Sequence, residues 1–568
     1  MLRRGVLACD RPAVIDSQYL HKCLSVPKCC LFGSGKTERP DKKIGKETAM
    51  LLEKKAKRMV DKKAVLNPDH VLVFMALLSV VLPVICFLWG WTKPVIAAGG
   101  TVCLVFLFVR AYQSLKAEFT VSITEDIKFW WIALASIGLW CLFSGIGGFS
   151  YQARDFLARN PMFRDLCSQS WPIRYELAEQ PELIRNLFPG ATTCDLVYYY
   201  TWWLPVAGLV KVLRLSHEAA DALLLAYTIL DVFLIFYCLS NIIKKKSYVM
   251  LSALILFGGF DFWVSLLEGI PSLMTKDFPL PLIPVDIEWW ASRFSYSSNT
   301  AQLFNVFNSS LPMWMLVCLL MLLPGNRSRA ALGSLAFAYS PFGTVAMVFI
   351  VLTDLIGRND KKWGERIKEI ITPENLIVPL MMLVVFAGFY LRVNLEKTST
   401  DGLIFKVYPE KRTFTLLVIF VLVEVWVYFL ALGKKAREFR FYWLTLIGLS
   451  LIPLWKVGAA NDWSLKVSVP LLFLLMIMMV DSYYRETQKK QRYVILAVLI
   501  MGFLTSAMEL KRNIHGTLNM QEAEYIHSEY STFQYLGSDD EMMDIFFGGQ
   551  YLVPESEGFW SRYISAVN

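Results

Sequence analysis

Long apolar stretches that carry no charge recur along this chain, separated by short segments that carry several. Few folds accept such a pattern. A helix rises about 1.5 Å per residue, so about 20 apolar residues cross the roughly 30 Å hydrocarbon core of a bilayer. Lipid offers no hydrogen bonds, which leaves helices and closed barrels as spanning structures. A barrel would alternate apolar and polar residues over segments of about ten. Here the runs are continuous and rich in Leu, Met, Phe and Trp. Of 568 residues only 18% are charged, against roughly 25% in soluble domains. Mean hydropathy is +0.44.

The chain is therefore expected to be an all-α polytopic integral membrane protein, with about 13 transmembrane helices and external juxtamembrane helices. The segments are Val71–Gly90, Pro94–Val109, Phe129–Phe149, Leu196–Leu213, Ala222–Ile243, Val249–Leu267, Leu311–Leu323, Ala331–Leu355, Leu376–Leu391, Thr413–Leu432, Trp443–Trp455, Val467–Val480 and Tyr493–Ala507. Pro341 divides Ala331–Leu355, since proline removes a helix donor.

Lysine and arginine favour the cytoplasmic side. Residues 1–70 hold 16 Lys/Arg against 8 Asp/Glu, and 509–568 hold 3 against 10. Three regions follow: a basic cytoplasmic arm (1–70), a polytopic domain (71–508) and an acidic external tail (509–568). Loops 151–195 and 268–310 are then external. With Lys244–Lys246 inside, Leu196–Leu213 must be re-entrant, because two apolar segments occupy one net crossing. The alternative places the lysines outside.

In the arm, Glu47–Lys63 has the pattern of an amphipathic helix on anionic lipid or of a solvated arm. Gly33–Thr37 resembles the end of a phosphate-binding loop, but Cys30 stands where that motif needs glycine. No nucleic-acid partner is expected. Cys9, Cys23, Cys29 and Cys30 match no common zinc spacing. Cys167 and Cys194 lie in the loop placed outside. A disulfide between them would close a loop of about 28 residues and contribute roughly 3–4 kcal/mol.

Chemistry concentrates in the loops. Asn160-Pro161 reads as a helix start, so two short helices are expected to meet there. Asp155 and Asp165 lie among Arg154, Arg159, Arg164 and Arg174. A carboxylate can take a proton from a hydroxyl nucleophile, and arginines can hold a phosphate. An interfacial helix pair with surface ion pairs would show the same residues. Glu288, Trp289, Trp290 and Asn299 in the second loop have the aromatic, carboxylate and amide mix of a sugar site, or of an interfacial aromatic belt. Asp462 and Lys466 precede a later span, where Lys466 could face a phosphate. Within the spans stand Asp231, Asp261, Asp354 and Glu424, candidates for a transport pathway or for structural pairs.

The layout resembles the GT-C superfamily of integral membrane glycosyltransferases, which draw a sugar from a polyprenyl-phosphate carrier. The likeness rests on an external loop carrying acidic residues on short juxtamembrane helices. The aromatic run Tyr198-Tyr199-Tyr200-Thr201-Trp202-Trp203-Leu204-Pro205, leading into the next segment, adds to it. It covers most of 129–568. It implies Asp155 or Asp165 as the base, and Arg154, Arg159, Arg164, Arg174 and Lys466 on the donor phosphate. Glu288, Trp289, Trp290, Asn299 and Asp462 would face the sugar or the acceptor, which is a glycan, lipid or protein. This loop lacks the tandem acidic pair frequent in that superfamily, so a divalent cation is an option and not a requirement. Two spans also precede the one that carries the loop. The alternatives are a polysaccharide polymerase or ligase using a lipid-pyrophosphate donor, and a multi-pass transporter or flippase.

Overall fold

The computed structural model describes residues 67–153, 155–179, 182–274, 287–357, 362–393, 401–458, 461–519, 551–555 and 558–566. The arm with its motifs and cysteines, Arg154, and residues 520–550 of the tail lie outside them.

Helices dominate, and they make this an all-α polytopic membrane protein. Among the described residues, seven are long and apolar enough to cross a bilayer: Pro68–Trp91 (α1), Pro94–Leu115 (α2), His217–Ile242, Asn299–Leu322, Pro373–Tyr390, Lys411–Ala431 and Lys489–Leu518. An eighth is obtained if the pair Tyr248–Leu256 and Asp261–Leu267, bent by 57°, counts as one span. This is fewer than the 13 segments that hydropathy picks out. Apolar composition is counted over a window, but crossing needs an unbroken helix. Ile127–Leu142, Thr201–Leu213, Pro341–Gly357 and Tyr442–Leu454 are apolar but shorter. Ala331–Leu355 is divided as expected: short helices end at Tyr339, and Ser340 caps a new helix by accepting from Gly343 N at 2.9 Å.

The two ends of the bundle are defined by contacts. At one, Asp69 accepts from Ile123 N (2.8 Å) and from the Tyr237 hydroxyl (2.9 Å), and Asn241 accepts from Thr120 N and Val121 N (2.8 Å each). Lys246 meets Glu125 there. At the other end, Phe143 O receives Asn513 Nδ2 at 3.1 Å, and Tyr151 N donates to Thr517 at 3.0 Å. Helix Leu204–Leu213 (α3) begins and ends at this second end, since Lys211 donates to the Gln169 carbonyl. With ten residues it is too short to cross a bilayer, whereas His217–Ile242 is long and apolar enough to do so.

A small antiparallel sheet caps the second end. Its strands are Arg174–Glu176 (β1), Thr193–Leu196 (β2) and Leu552–Pro554 (β3), in the order β1-β2-β3. The C-terminal segment thus joins the first large loop.

Two local expectations change. Phe156–Ser168 is one helix (α4) with Pro161 inside it, so Asn160 starts nothing and instead pairs with Gln152 at 2.8 Å. The second loop is shorter than 268–310, because its polar residues from Asn299 to Ser310 are the buried start of Asn299–Leu322.

Arg329 and Asp354 are fully buried and form an ion pair, with Arg440 at 2.7 Å from the same carboxylate. Arg329 also donates to the carbonyls of Leu320 (2.7 Å) and Gly325. Removing one partner of such a pair strands the other charge. Asp354→Ala is expected to destabilise the protein by about 3–5 kcal/mol, read as a fall in the unfolding midpoint of detergent-solubilised protein.

Candidate functional site

The strand β2 runs straight into Val197-Tyr198-Tyr199-Tyr200. Tyr200 is buried against Trp91 (ring centroids 5.2 Å apart) and bonds back to Leu196 O, which turns the next residues toward α3. Tyr198 and Tyr199 are left facing a cavity of about 450 Å³. Its walls are mainly apolar, from Phe337, Phe342, Leu391 and Val393, and its polar residues include Tyr199, Lys466, Asp462 and Tyr551.

Lys466 is placed by a short helix, Asp462–Val467 (α5). Asn461 caps it from a left-handed conformation (φ 53°), with its side chain accepting from Ser464 N. One turn of helix then sets Lys466 against Asp462 at 2.7 Å. Lys466 donates to the Tyr199 hydroxyl and lies 4.5 Å from that ring's centroid. Burial opposes its charge, but Asp462 together with Tyr198 and Tyr551 offsets burial and holds the ammonium pKa above the ordinary lysine value. Burial also pushes the Tyr199 and Tyr551 hydroxyls well above the usual range, so both remain proton donors.

A second buried cation approaches the same tyrosines. Arg159, on α4, is 7% exposed, and Asp155, Tyr198 and Tyr199 favour its charge. One guanidinium nitrogen meets Asp155 at 2.9 Å. Nε and Nη1 are buried without a hydrogen bond of ordinary geometry. Asp155 itself stays half exposed at the start of α4 and caps nothing with its side chain.

The other predicted residues divide. Asp165 is fully buried and accepts from the Tyr175 hydroxyl (2.5 Å) and Gln169 (2.9 Å), so it braces the loop. Arg174 bonds Asp195 (2.9 Å) and Glu555 (3.3 Å) across the sheet, and Arg392 reaches the same Asp195 at 2.6 Å. Arg164 is half-buried and does not line the cavity.

Glu288, Trp290 and Asn299 turn inward, away from the cavity. Trp290 donates to Asp261 at 3.1 Å, Glu288 accepts from Ser298 N at 3.0 Å, and Asn299 donates to Leu254 O at 3.0 Å. Trp289 is partly exposed. The second loop touches the site indirectly: Arg293 O and Ser295 O receive Asn461 (3.2 Å) and Ser464 (3.3 Å) of α5 and its cap. Sequence reasoning passed over Tyr551, Tyr390 and Phe342, which no local signal marks.

Cys167 and Cys194 are buried free thiols, contrary to the disulfide expectation. Cys167 lies beside Lys211 and Asp221, whereas β2 turns Cys194 toward Tyr175. Among the described residues, no group of three or more His, Cys, Asp or Glu side chains has the arrangement of a metal site. No family model, curated protein or solved structure matches the chain.

Burial pushes both thiols up to about 12, and the thiolate is the reactive form. Maleimide at pH 8 should label neither cysteine until the protein is denatured, with no reductant needed. Burial and then Asp261 push the Glu288 carboxyl up to about 7. The folded state therefore keeps a proton that the unfolded state loses near its ordinary value of 4.5. Stability from this group is complete below about 4.5 and declines as pH rises toward about 7. Glu288→Gln should flatten that decline in pH-dependent thermal unfolding.

Proposed function

We propose that this protein is a membrane glycosyltransferase that moves a sugar from a polyprenyl-phosphate carrier to a glycan, lipid or protein acceptor at the outer face of the membrane. One observation carries this: a mainly apolar cavity whose polar part holds Lys466, with Arg159 buried beside the same tyrosine pair. Apolar walls suit a prenyl chain. Buried cations suit a phosphate whose charge grows as the sugar departs. The asymmetry of Lys and Arg supports a cytoplasmic N-terminus, with the first loop and the C-terminus outside.

The chemistry is a displacement. The acceptor hydroxyl attacks the anomeric carbon and its proton passes to Asp155. The new carbon–oxygen bond forms as the bond to the phosphate oxygen breaks. Polyprenyl phosphate leaves with the electron pair, its charge offset by Lys466 and Arg159. Asp462 orients Lys466 and stands where a sugar hydroxyl can meet it. The bonding of Asp165 leaves Asp155 as the better base.

A transporter is the second candidate, because Phe257–Phe260 interrupts a helix pair next to Asp261 and Glu424. Broken helices beside carboxylates are frequent at transport sites. Asp231 and Asp354, by contrast, are engaged by Trp202 and by Arg329 with Arg440.

The test is turnover of radiolabelled polyprenyl-phosphate sugars by purified protein in liposomes. Asp155→Asn should lower label release by at least about 100-fold with donor binding retained, and Lys466→Met should weaken donor binding. Full activity in Asp155→Asn would overturn the mechanism. No release by wild type, with vesicle flux lost in Glu424→Gln, would establish the transporter instead.

A further inference from the structure

The C-terminal segment is woven into the walls of the cavity. Strand β3 pairs with β2 in the register Cys194↔Pro554, Asp195↔Val553 and Leu196↔Leu552. Val197 N donates to Tyr551 O at 2.8 Å, which continues the pairing by one residue. Val197 and Tyr551 both line the cavity. Side chains of a strand alternate between faces, so a slip of one residue would turn Tyr551 away. Glu555 pins the register: its carboxylate takes the Thr193 hydroxyl (2.9 Å) and Arg174 (3.3 Å), and its N–H donates to Thr193 O at 3.2 Å.

Residues 558–566 are anchored on a different element. Lys93 N donates to Ile564 O (2.9 Å), Ala566 N donates to Trp91 O (3.0 Å), and Lys93 Nζ donates to Arg562 O (2.8 Å). Trp560 packs on Phe389, with ring centroids 5.3 Å apart. Phe389 belongs to Pro373–Tyr390, whose Ala387 and Tyr390 line the cavity. The tail thus attaches to the strand-side wall through 551–555 and to the helix-side wall through 558–566.

Tyr551 sits among the polar groups. Its ring meets Tyr198 edge-on at 4.9 Å, and it lines the cavity with Lys466 and Asp462, which both act on its hydroxyl.

We propose that the C-terminal stretches 551–555 and 558–566 act as a strap that sets the cavity's shape and contributes Tyr551 as a recognition residue, its hydroxyl donating to the phosphate of a prenyl-phosphate ligand beside Lys466. This rests on the donor proposed above. It adds that the lipid phosphate is recognised jointly by the transmembrane bundle and the C-terminal tail.

The test uses the full chain in nanodiscs and long-chain polyprenyl monophosphate, without a sugar, as the probe. Binding is followed by native mass spectrometry for wild type, Tyr551→Phe, Glu555→Gln and, as a control on the other face of the strand, Leu552→Val. Tyr551→Phe should weaken binding by about tenfold, as loss of a hydrogen bond to a charged group does. Its unfolding midpoint should stay unchanged. Glu555→Gln should weaken binding by a smaller factor and raise amide exchange in 193–197, and Leu552→Val should do neither. Wild-type affinity in both Tyr551→Phe and Glu555→Gln would overturn the strap. Absence of binding by wild type would overturn the prenyl-phosphate donor, and with it this role for Tyr551.

Discussion

Inside a bilayer a backbone that leaves helical geometry must find its hydrogen-bond partners in the protein itself. Much of this structure answers that demand at Phe257–Phe260. Phe257 O receives Asn299 N (2.8 Å) and Ser506 (3.1 Å), Gly258 O receives the Tyr428 hydroxyl, and Gly259 O receives Thr505 (2.8 Å). Phe260 N donates to Glu424 at 3.2 Å. A side chain on Gly259 would place its Cβ 1.6 Å from a Glu424 oxygen, so only glycine lets the carboxylate approach. Helices distant in sequence are drawn together by one interruption. Asn299 and Glu424 owe their burial to it.

The same demand explains the candidate site. The short helices α3 and α5 leave their ends, and the loops before them, beside the cavity. The polar part of a mainly apolar cavity is tolerated there because charged groups in and behind its wall answer one another. Lys466 is held by Asp462 and Tyr199, and Arg159 by Asp155. A cation buried with one carboxylate keeps its charge, and here both cations interact with Tyr198 and Tyr199. Asp155 differs from Asp165 in one respect that matters for chemistry: its carboxylate is still in contact with solvent.

The small sheet gives the site its outer wall. Arg174, Arg392, Asp195 and Glu555 form one charge network across three separate stretches of chain. These residues are polar enough to pass for ligands when read singly. Their partners, 21 to 381 residues away, show that they hold the tail and the first loop together.

Membrane insertion and helical class were legible because they depend on composition and length, which are properties of single segments. The division at Pro341 could also be read locally, from a missing donor. Asp155, Arg159, Asp462 and Lys466 were recognisable as residue types suited to phosphate and proton chemistry. Only the tertiary structure decided which of them share a cavity, since that depends on α5 packing against residues 293–295 and on Tyr199 reaching Lys466. It also turned Glu288, Trp290 and Asn299 inward to serve a helix break, separated Cys167 from Cys194, and brought Tyr551 to Tyr198. A residue's chemistry is written in its side chain, but its neighbours are set by packing and by hydrogen bonds that join positions hundreds of residues apart.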